Sequence, residues 1–187
     1  KESKPIMIES LPAQLTMPEA TGTIYYGIDV PENTNKLLVV NADRTVANGT
    51  ALSVYPTGNE WNGANGTSSA EYNVNTTSGA QRIIIRWSAV EKTPLSFSVK
   101  MKDIEKGDLI TDPIEAVLGE NNIAAEGTRY YKYTATRDGK LSIEPNNPAV
   151  TVEFPRGTDS WSGTYDAVVN GISYSVEATN GTEYLIK

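Results

Sequence analysis

The chain has no cysteine and no histidine among its 187 residues. Without cysteine it forms no disulfides and has no thiolate metal ligand or cysteine nucleophile. Without histidine it lacks the usual general base and the commonest metal ligand, and a Ser-His-Asp triad is excluded. Because the most common arrangements for nucleophilic and metal-assisted catalysis are missing, we expect no catalytic residues, no metal and no cofactor.

Long apolar runs and excess positive charge are also missing. No apolar stretch approaches the roughly 20 residues of a membrane-spanning helix. The formal net charge is −7 and the pI is about 4.7, so no basic surface is available to bind nucleic acid. Residues 1–5 read Lys-Glu-Ser-Lys-Pro. We interpret this polar start as an N-terminus from which any targeting segment has been removed, which leaves open a lipid anchor upstream of residue 1.

The pattern of the remaining residues predicts β-strands almost throughout. Short runs rich in Val, Ile, Tyr and Thr are bounded by Gly, Asn, Asp and Pro. In residues 95–101 apolar and polar side chains alternate, as in a strand with one face on a core. Asp138-Gly139 and Asn170-Gly171 each separate two such runs and fit two-residue hairpin turns. The predicted strands are 6–11, 23–30, 36–41, 51–55, 70–75, 82–87, 95–101, 114–118, 129–136, 140–144, 150–154, 165–169, 172–177 and 183–187.

Six segments of the first half recur in the second half in the same order. The matches are 22–26 with 127–131, 36–39 with 140–143, 52–56 with 150–155, 61–63 with 161–163, 72–74 with 174–176, and 82–85 with 183–186. Such a repeat predicts two related domains. We therefore expect an all-β chain of two tandem β-sandwich, jelly-roll-like domains, at residues 1–102 and 113–187, joined by an acidic linker at 103–112.

The second repeat ends before the segment that would match residues 95–101. We therefore expect the second domain to lack its last strand. Residues 183–187 would then border an open sheet edge, or would pair with a neighbouring molecule. Of the two explanations, we favour a longer protein whose following residues supply the strand; the other is that the second domain closes without it.

Three segments of the second half resemble bacterial pre-peptidase C-terminal domains. They are 107–114 (Gly-Asp-Leu-Ile-Thr-Asp-Pro-Ile), 127–133 (Gly-Thr-Arg-Tyr-Tyr-Lys-Tyr) and 138–143 (Asp-Gly-Lys-Leu-Ser-Ile). The first repeat lacks the Gly-Asp opening and matches more weakly. Those domains are small jelly-roll-like sandwiches appended to secreted enzymes and surface proteins, and the chain is also similar to surface lipoproteins and adhesins of Gram-negative bacteria. The resemblance implies a non-catalytic module that is secreted or anchored at the outer membrane, with adhesion or polysaccharide binding as its usual roles.

Trp61 and Trp161 occupy corresponding loops rich in Gly, Asn and Ser. The face of a tryptophan ring can stack on a sugar, and neighbouring polar side chains can bond its hydroxyls. We therefore predict ligand-binding residues at Trp61 with Asn62, and at Trp161 with Arg156 and Asp159. In the alternative interpretation each tryptophan closes one end of its sandwich and contributes only packing.

Four acids lie in or near the linker, and they are Asp103, Glu105, Asp108 and Asp112. Oxygen ligands of this kind suit Ca²⁺, but the spacing does not fit an EF-hand loop, and acidic linkers are usually solvated. We therefore predict no metal.

Taken together, the sequence predicts a non-catalytic extracellular binding module for adhesion to a protein or a glycan. Two alternatives remain. One is a structural spacer of a larger secreted or surface protein, and the other is a carbohydrate-binding module of a polysaccharide-use system. An exposed aromatic loop separates a binding module from a spacer, because a spacer needs no such surface.

Overall fold

The computed structural model describes residues 4–17, 22–43, 46, 50–90, 95–123, 127–155, 164–168 and 174–187. Every regular element in these ranges is a β-strand, which confirms the all-β prediction. The same ranges contain no helix able to cross a membrane. By its internal contacts the chain divides into two compact units, Lys1–Ile104 and Glu105–Lys187.

The first unit contains nine described strands arranged in two sheets. The strands are β1 (Ile6–Met7), β2 (Ala13–Thr16), β3 (Gly22–Val30), β4 (Asn35–Ala42), β5 (Ala51–Pro56), β6 (Ala64–Gly66), β7 (Ser69–Asn75), β8 (Gln81–Val90) and β9 (Ser96–Lys102). One sheet has the order β1-β3-β8-β5-β6 and the other has the order β2-β9-β4-β7. All of these pairs are antiparallel except β1 with β3.

Alternate side chains of the two sheets meet in one apolar core. Phe97 on β9 contacts aromatic rings of the other sheet, with centroids 5.1 Å from Tyr26 and 5.5 Å from Trp87. All three rings are buried, whereas Tyr25, the neighbour of Tyr26, is only half-buried. Successive strand residues point to opposite faces. Tyr26 therefore faces the core, and Tyr25 faces away from it.

The second unit contains seven described strands. They are β10 (Ile114–Glu115), β11 (Tyr131–Thr134), β12 (Gly139–Ile143), β13 (Val152–Pro155), β14 (Thr164–Val168), β15 (Tyr174–Ala178) and β16 (Glu183–Ile186). The hydrogen-bonded groups are β10-β11-β16, β12-β15 and β13-β14. Lys187, directly after β16, exchanges two backbone hydrogen bonds of 2.8 Å with Glu153 of β13. These bonds place β13 beside β16. The strand order of the first group is thereby extended to β10-β11-β16-β13-β14.

The strand pairing of the second unit follows that of the first. The parallel pair β1 with β3 corresponds to the parallel pair β10 with β11, with Ile6 opposite Tyr26 and Ile114 opposite Tyr131. The pairs β3-β8, β4-β7 and β5-β6 correspond to β11-β16, β12-β15 and β13-β14. The pairing agrees with five of the six repeated segments, since equivalent strands contain or adjoin them; the sixth, 61–63 with 161–163, lies in a loop of the first unit and outside the described residues of the second.

The described core of the second unit has seven buried members, which are Tyr131, Ala135, Leu141, Val152, Phe154, Ala178 and Ile186.

The sequence located most strands correctly and misjudged some of their bounds and pairings. The predicted strand 6–11 ends at Met7, and the strands β2 and β6 were not predicted. The prediction of a hairpin across Asp138-Gly139 was wrong. The strand before it, β11, pairs with β10 and β16, and the strand after it, β12, pairs with β15. This turn carries the chain from one group of strands to another. Asn170-Gly171 lies outside the described residues.

The predicted linker divides between the two units. Asp103 and Ile104 belong to the first, and 105–112 belong to the second. Gly107 N–H donates to the carbonyl of Asp112, and Tyr130 N–H donates to the carbonyl of Gly107, both at 2.8 Å. Residues 105–112 therefore form bonded structure within the second unit.

The described part of the second unit has no counterpart of β9 and none of β2. The position predicted for the open edge was wrong. β16 pairs with β11, and Lys187 bonds Glu153, so residues 183–187 are flanked on both sides. The strand that corresponds to β4 is β12, and among the described residues it pairs with β15 alone.

Candidate functional site

The loop that joins β5 to β6, residues 57–63, is held by backbone hydrogen bonds. Asn59 N–H donates to the carbonyl of Pro56 at 3.0 Å, which closes a turn at the end of β5. The N–H and the hydroxyl of Thr57 both donate to the carbonyl of Arg82, at 2.9 and 3.1 Å. The start of the loop is therefore attached to the neighbouring strand β8.

The end of the loop packs closely on β5 at Gly63. A Cβ at this position would lie 2.5 Å from the carbonyl oxygen of Val54 and 2.8 Å from Cβ of Tyr55. Only glycine fits so close to another backbone. With both ends held, the loop presents its central residues in a defined position.

Trp61 lies at the centre of this loop and is 85% exposed. A tryptophan side chain of roughly 150–250 Å² left in water forgoes about 3–5 kcal/mol of hydrophobic stabilisation. Its exposure rules out the alternative in which Trp61 closes the end of the first unit by packing. Asn62 beside it is also exposed.

Polar and charged groups extend from the loop across the outer face of the sheet. Glu60 accepts a hydrogen bond of 2.8 Å from Nη1 of Arg86, whose guanidinium lies 5.4 Å from the ring centroid of Tyr55. The other terminal nitrogen of Arg86 donates to Oγ of Ser53 at 3.3 Å, and Ser53 donates to Oδ1 of Asn65 at 2.8 Å. A network of charge-assisted and neutral hydrogen bonds thus begins at the residue before Trp61.

This arrangement suits binding at a shallow surface. An exposed indole face provides apolar contact, the exposed amides of Asn59 and Asn62 can donate and accept hydrogen bonds, and Glu60 adds a carboxylate. We refer to residues 59–62 together with Arg86 as the Trp61 surface.

Two of the five predicted site residues, Trp61 and Asn62, lie together on this surface. Trp161, Asp159 and Arg156 lie outside the described residues. The sequence pattern did not identify Arg86 and Glu60 as site residues. They lie 26 positions apart, and no local signal links them.

Two of the four acids in or near the predicted linker, Asp103 and Asp108, have structural partners. The carboxylate of Asp108 is buried and accepts hydrogen bonds from Nη1 of Arg129 and from N–H of Glu105, both at 2.8 Å. Asp103 pairs with Lys36 at 2.9 Å, and this hydrogen bond lowers the pKa of Asp103. In the part of the chain that the structure describes, no three acidic side chains are grouped as a metal site would require.

Comparison with known proteins found similarity among solved structures only. No protein-family model matches the chain, and no curated protein matches it. Among solved structures it is similar to the pre-peptidase C-terminal domain of a collagenase from Bacillus anthracis, with 14% identity and a TM-score of 0.39 over 55% of this chain and 98% of that one.

Proposed function

We propose that this chain is a non-catalytic, extracellular binding module for adhesion, built from two tandem β-sandwich domains, and that its Trp61 surface contacts a glycan. The observation that carries the proposal is the 85% exposure of Trp61 on a loop held at both ends. A spacer has no use for a positioned, exposed indole.

The groups around Trp61 favour a sugar as its target. Sugar rings present apolar C–H faces that stack on an indole, and their hydroxyls bond amides and carboxylates. Asn59, Glu60 and Asn62 supply such groups beside the ring. The sequence resemblance to pre-peptidase C-terminal domains supports a secreted or cell-surface location, and the similarity to surface lipoproteins of Gram-negative bacteria supports anchoring at the outer membrane.

The test is glycan binding by the chain and by Trp61→Ala. A glycan array identifies a bound sugar, and titration calorimetry then compares the two proteins. We expect the substitution to weaken binding at least about tenfold, which corresponds to roughly 1.4 kcal/mol. Because Trp61 is exposed, stability should change by no more than about 0.5 kcal/mol.

Leu118→Ala is the matched control. Leu118 is also a large exposed apolar residue, at 65%, but it belongs to the second unit. Its substitution should leave glycan affinity unchanged. The proposal is wrong if no glycan binds, or if Trp61→Ala binds the sugar as the unsubstituted chain does. Trp161→Ala measures whether the corresponding loop of the second repeat contributes to the same affinity.

A further inference from the structure

Two ion pairs lie on the outer face of the sheet that carries the Trp61 surface. Arg82 of β8 bonds Asp29 of β3 through two nitrogens, at 2.6 and 2.8 Å. Arg86, further along β8, bonds Glu60 at 2.8 Å. The five described strands of this sheet, β1, β3, β8, β5 and β6, contain no other lysine or arginine. Each cation of these strands is therefore paired with a carboxylate.

The guanidinium of Arg86 is held by groups on several sides. Nη1 donates to Glu60, and Nη2 donates to Oγ of Ser53 at 3.3 Å. Nε is buried and has no hydrogen-bond partner within the described part of the chain, so a ligand cannot reach it from solvent. Arginine binds a carboxylate best through two parallel N–H groups. The edge formed by Nε and Nη2 is closed to a sugar carboxylate, and at the other edge Glu60 already occupies Nη1.

Glu60 places a negative charge beside the exposed indole. Its side chain is 47% exposed, and it directly precedes Trp61 in the loop. The charges of Glu60 and Arg86 cancel, so a sugar stacked on Trp61 meets no net positive charge that would attract an anion. A carboxylate or sulfate on that sugar would lie near the Glu60 carboxylate, and like charges across an interface oppose binding. Uncharged hydroxyls, in contrast, can donate to the carboxylate and accept from the guanidinium.

We infer that the Trp61 surface selects uncharged glycans, and that Glu60 is the residue that excludes anionic ones such as uronates and sulfated sugars. This inference rests on the proposed glycan binding and adds the chemical class of the ligand. The selectivity comes from an unfavourable contact with the wrong ligand, which is a common source of specificity. The net charge of −7 acts in the same direction at longer range.

The probe is a glycan array that presents neutral oligosaccharides beside sulfated and uronate counterparts of the same backbone. The unsubstituted chain should bind each neutral sugar that it recognises at least about tenfold more tightly than the anionic counterpart. Titration calorimetry with one such pair of sugars measures this ratio in solution.

Glu60→Gln tests the role of the carboxylate. It removes the charge but keeps the size of the side chain and an oxygen that accepts from Arg86. The cation beside Trp61 is then no longer neutralised, so affinity for the anionic counterpart should rise at least about tenfold, while affinity for the neutral sugar should stay within about twofold. The gain should disappear when salt is raised from about 0.1 M to about 1 M, because the Debye length falls from about 10 Å to about 3 Å.

Glu120→Gln is the matched control. Glu120 is an exposed acid of the second unit, so its substitution changes the net charge equally without touching the Trp61 surface. Both affinities should be unchanged. An equal gain in this variant would assign the selectivity to the net charge of the chain and would overturn the role of Glu60.

The remaining outcomes separate this inference from the proposed function. Equal or tighter binding of anionic sugars by the unsubstituted chain would overturn the inference and leave glycan binding intact. The same holds if Glu60→Gln discriminates against anionic sugars as strongly as the unsubstituted chain does. If no glycan of either class binds, the proposed function fails, and the selectivity fails with it.

Discussion

Single residues show how strongly environment decides the role of a side chain. In the sequence, Gly107 and Asp108 belong to an acidic segment. In the structure, however, the side chain of Asp108 is 0% exposed and bonds the side chain of Arg129, which is 17% exposed. Gly107 adopts φ of +89°, a conformation that suits glycine. The Gly-Asp opening is therefore a packing element of the second unit.

Removing the Asp108 carboxylate should strongly destabilise the second unit. Asp108→Ala leaves a largely buried guanidinium without its partner, and breaking a buried ion pair in this way costs about 3–5 kcal/mol. Chemical denaturation followed by circular dichroism measures the loss. Asp112→Ala changes an exposed acid four positions away and should cost no more than about 0.5 kcal/mol. Equal effects of the two substitutions would contradict the structural role of Asp108.

Individual strands show where the local sequence pattern fails to predict which residues face the core and which segments pair. The repeat matched Leu37 with Leu141, but Leu38 is the residue that joins the core of the first unit, whereas Leu141 joins that of the second. A shift of one residue exchanges the two faces of a strand, and the apolar run Leu37-Leu38-Val39-Val40 gives no alternation to exclude it. β6 has the composition of a turn and becomes a strand only by pairing with β5.

Strand β11 carries a cation shared by both of its neighbours. Nζ of Lys132 lies 3.0 Å from Glu183 of β16 and 3.2 Å from Glu115 of β10. The hydrogen bond to Glu183, followed by the one to Glu115, raises the pKa of Lys132. The charged form is thus favoured in the folded state. Its contribution to stability is fully present below the unfolded pKa of about 10.4 and is lost as pH rises through the folded value.

Lys132→Met should therefore lower the melting temperature at neutral pH, and the difference from the unsubstituted chain should shrink as pH rises above the unfolded pKa of about 10.4. Melting curves of both proteins across this range measure the difference. Lys140→Met is the control, because Lys140 is exposed and belongs to β12. A difference that stays constant with pH would show that the charge of Lys132 does not cause it.

At the scale of the whole molecule, the two units have separate described cores. We expect two unfolding transitions in the full chain. A fragment of residues 1–104 should reproduce one of them, because it retains both sheets of the first unit. Differential scanning calorimetry of the two proteins tests this, and a single transition in the full chain that the fragment does not reproduce would contradict it.

The amino-acid sequence by itself determined the all-β class, the positions of most strands and the repetition of their order. These properties depend on local composition and alternation, which are readable within a few residues. Only the tertiary structure decided that β12 pairs with β15 and not with β11, that Asp108 is buried, and that Trp61 is exposed. Strand pairing and burial join residues distant in sequence, so no local pattern contains them.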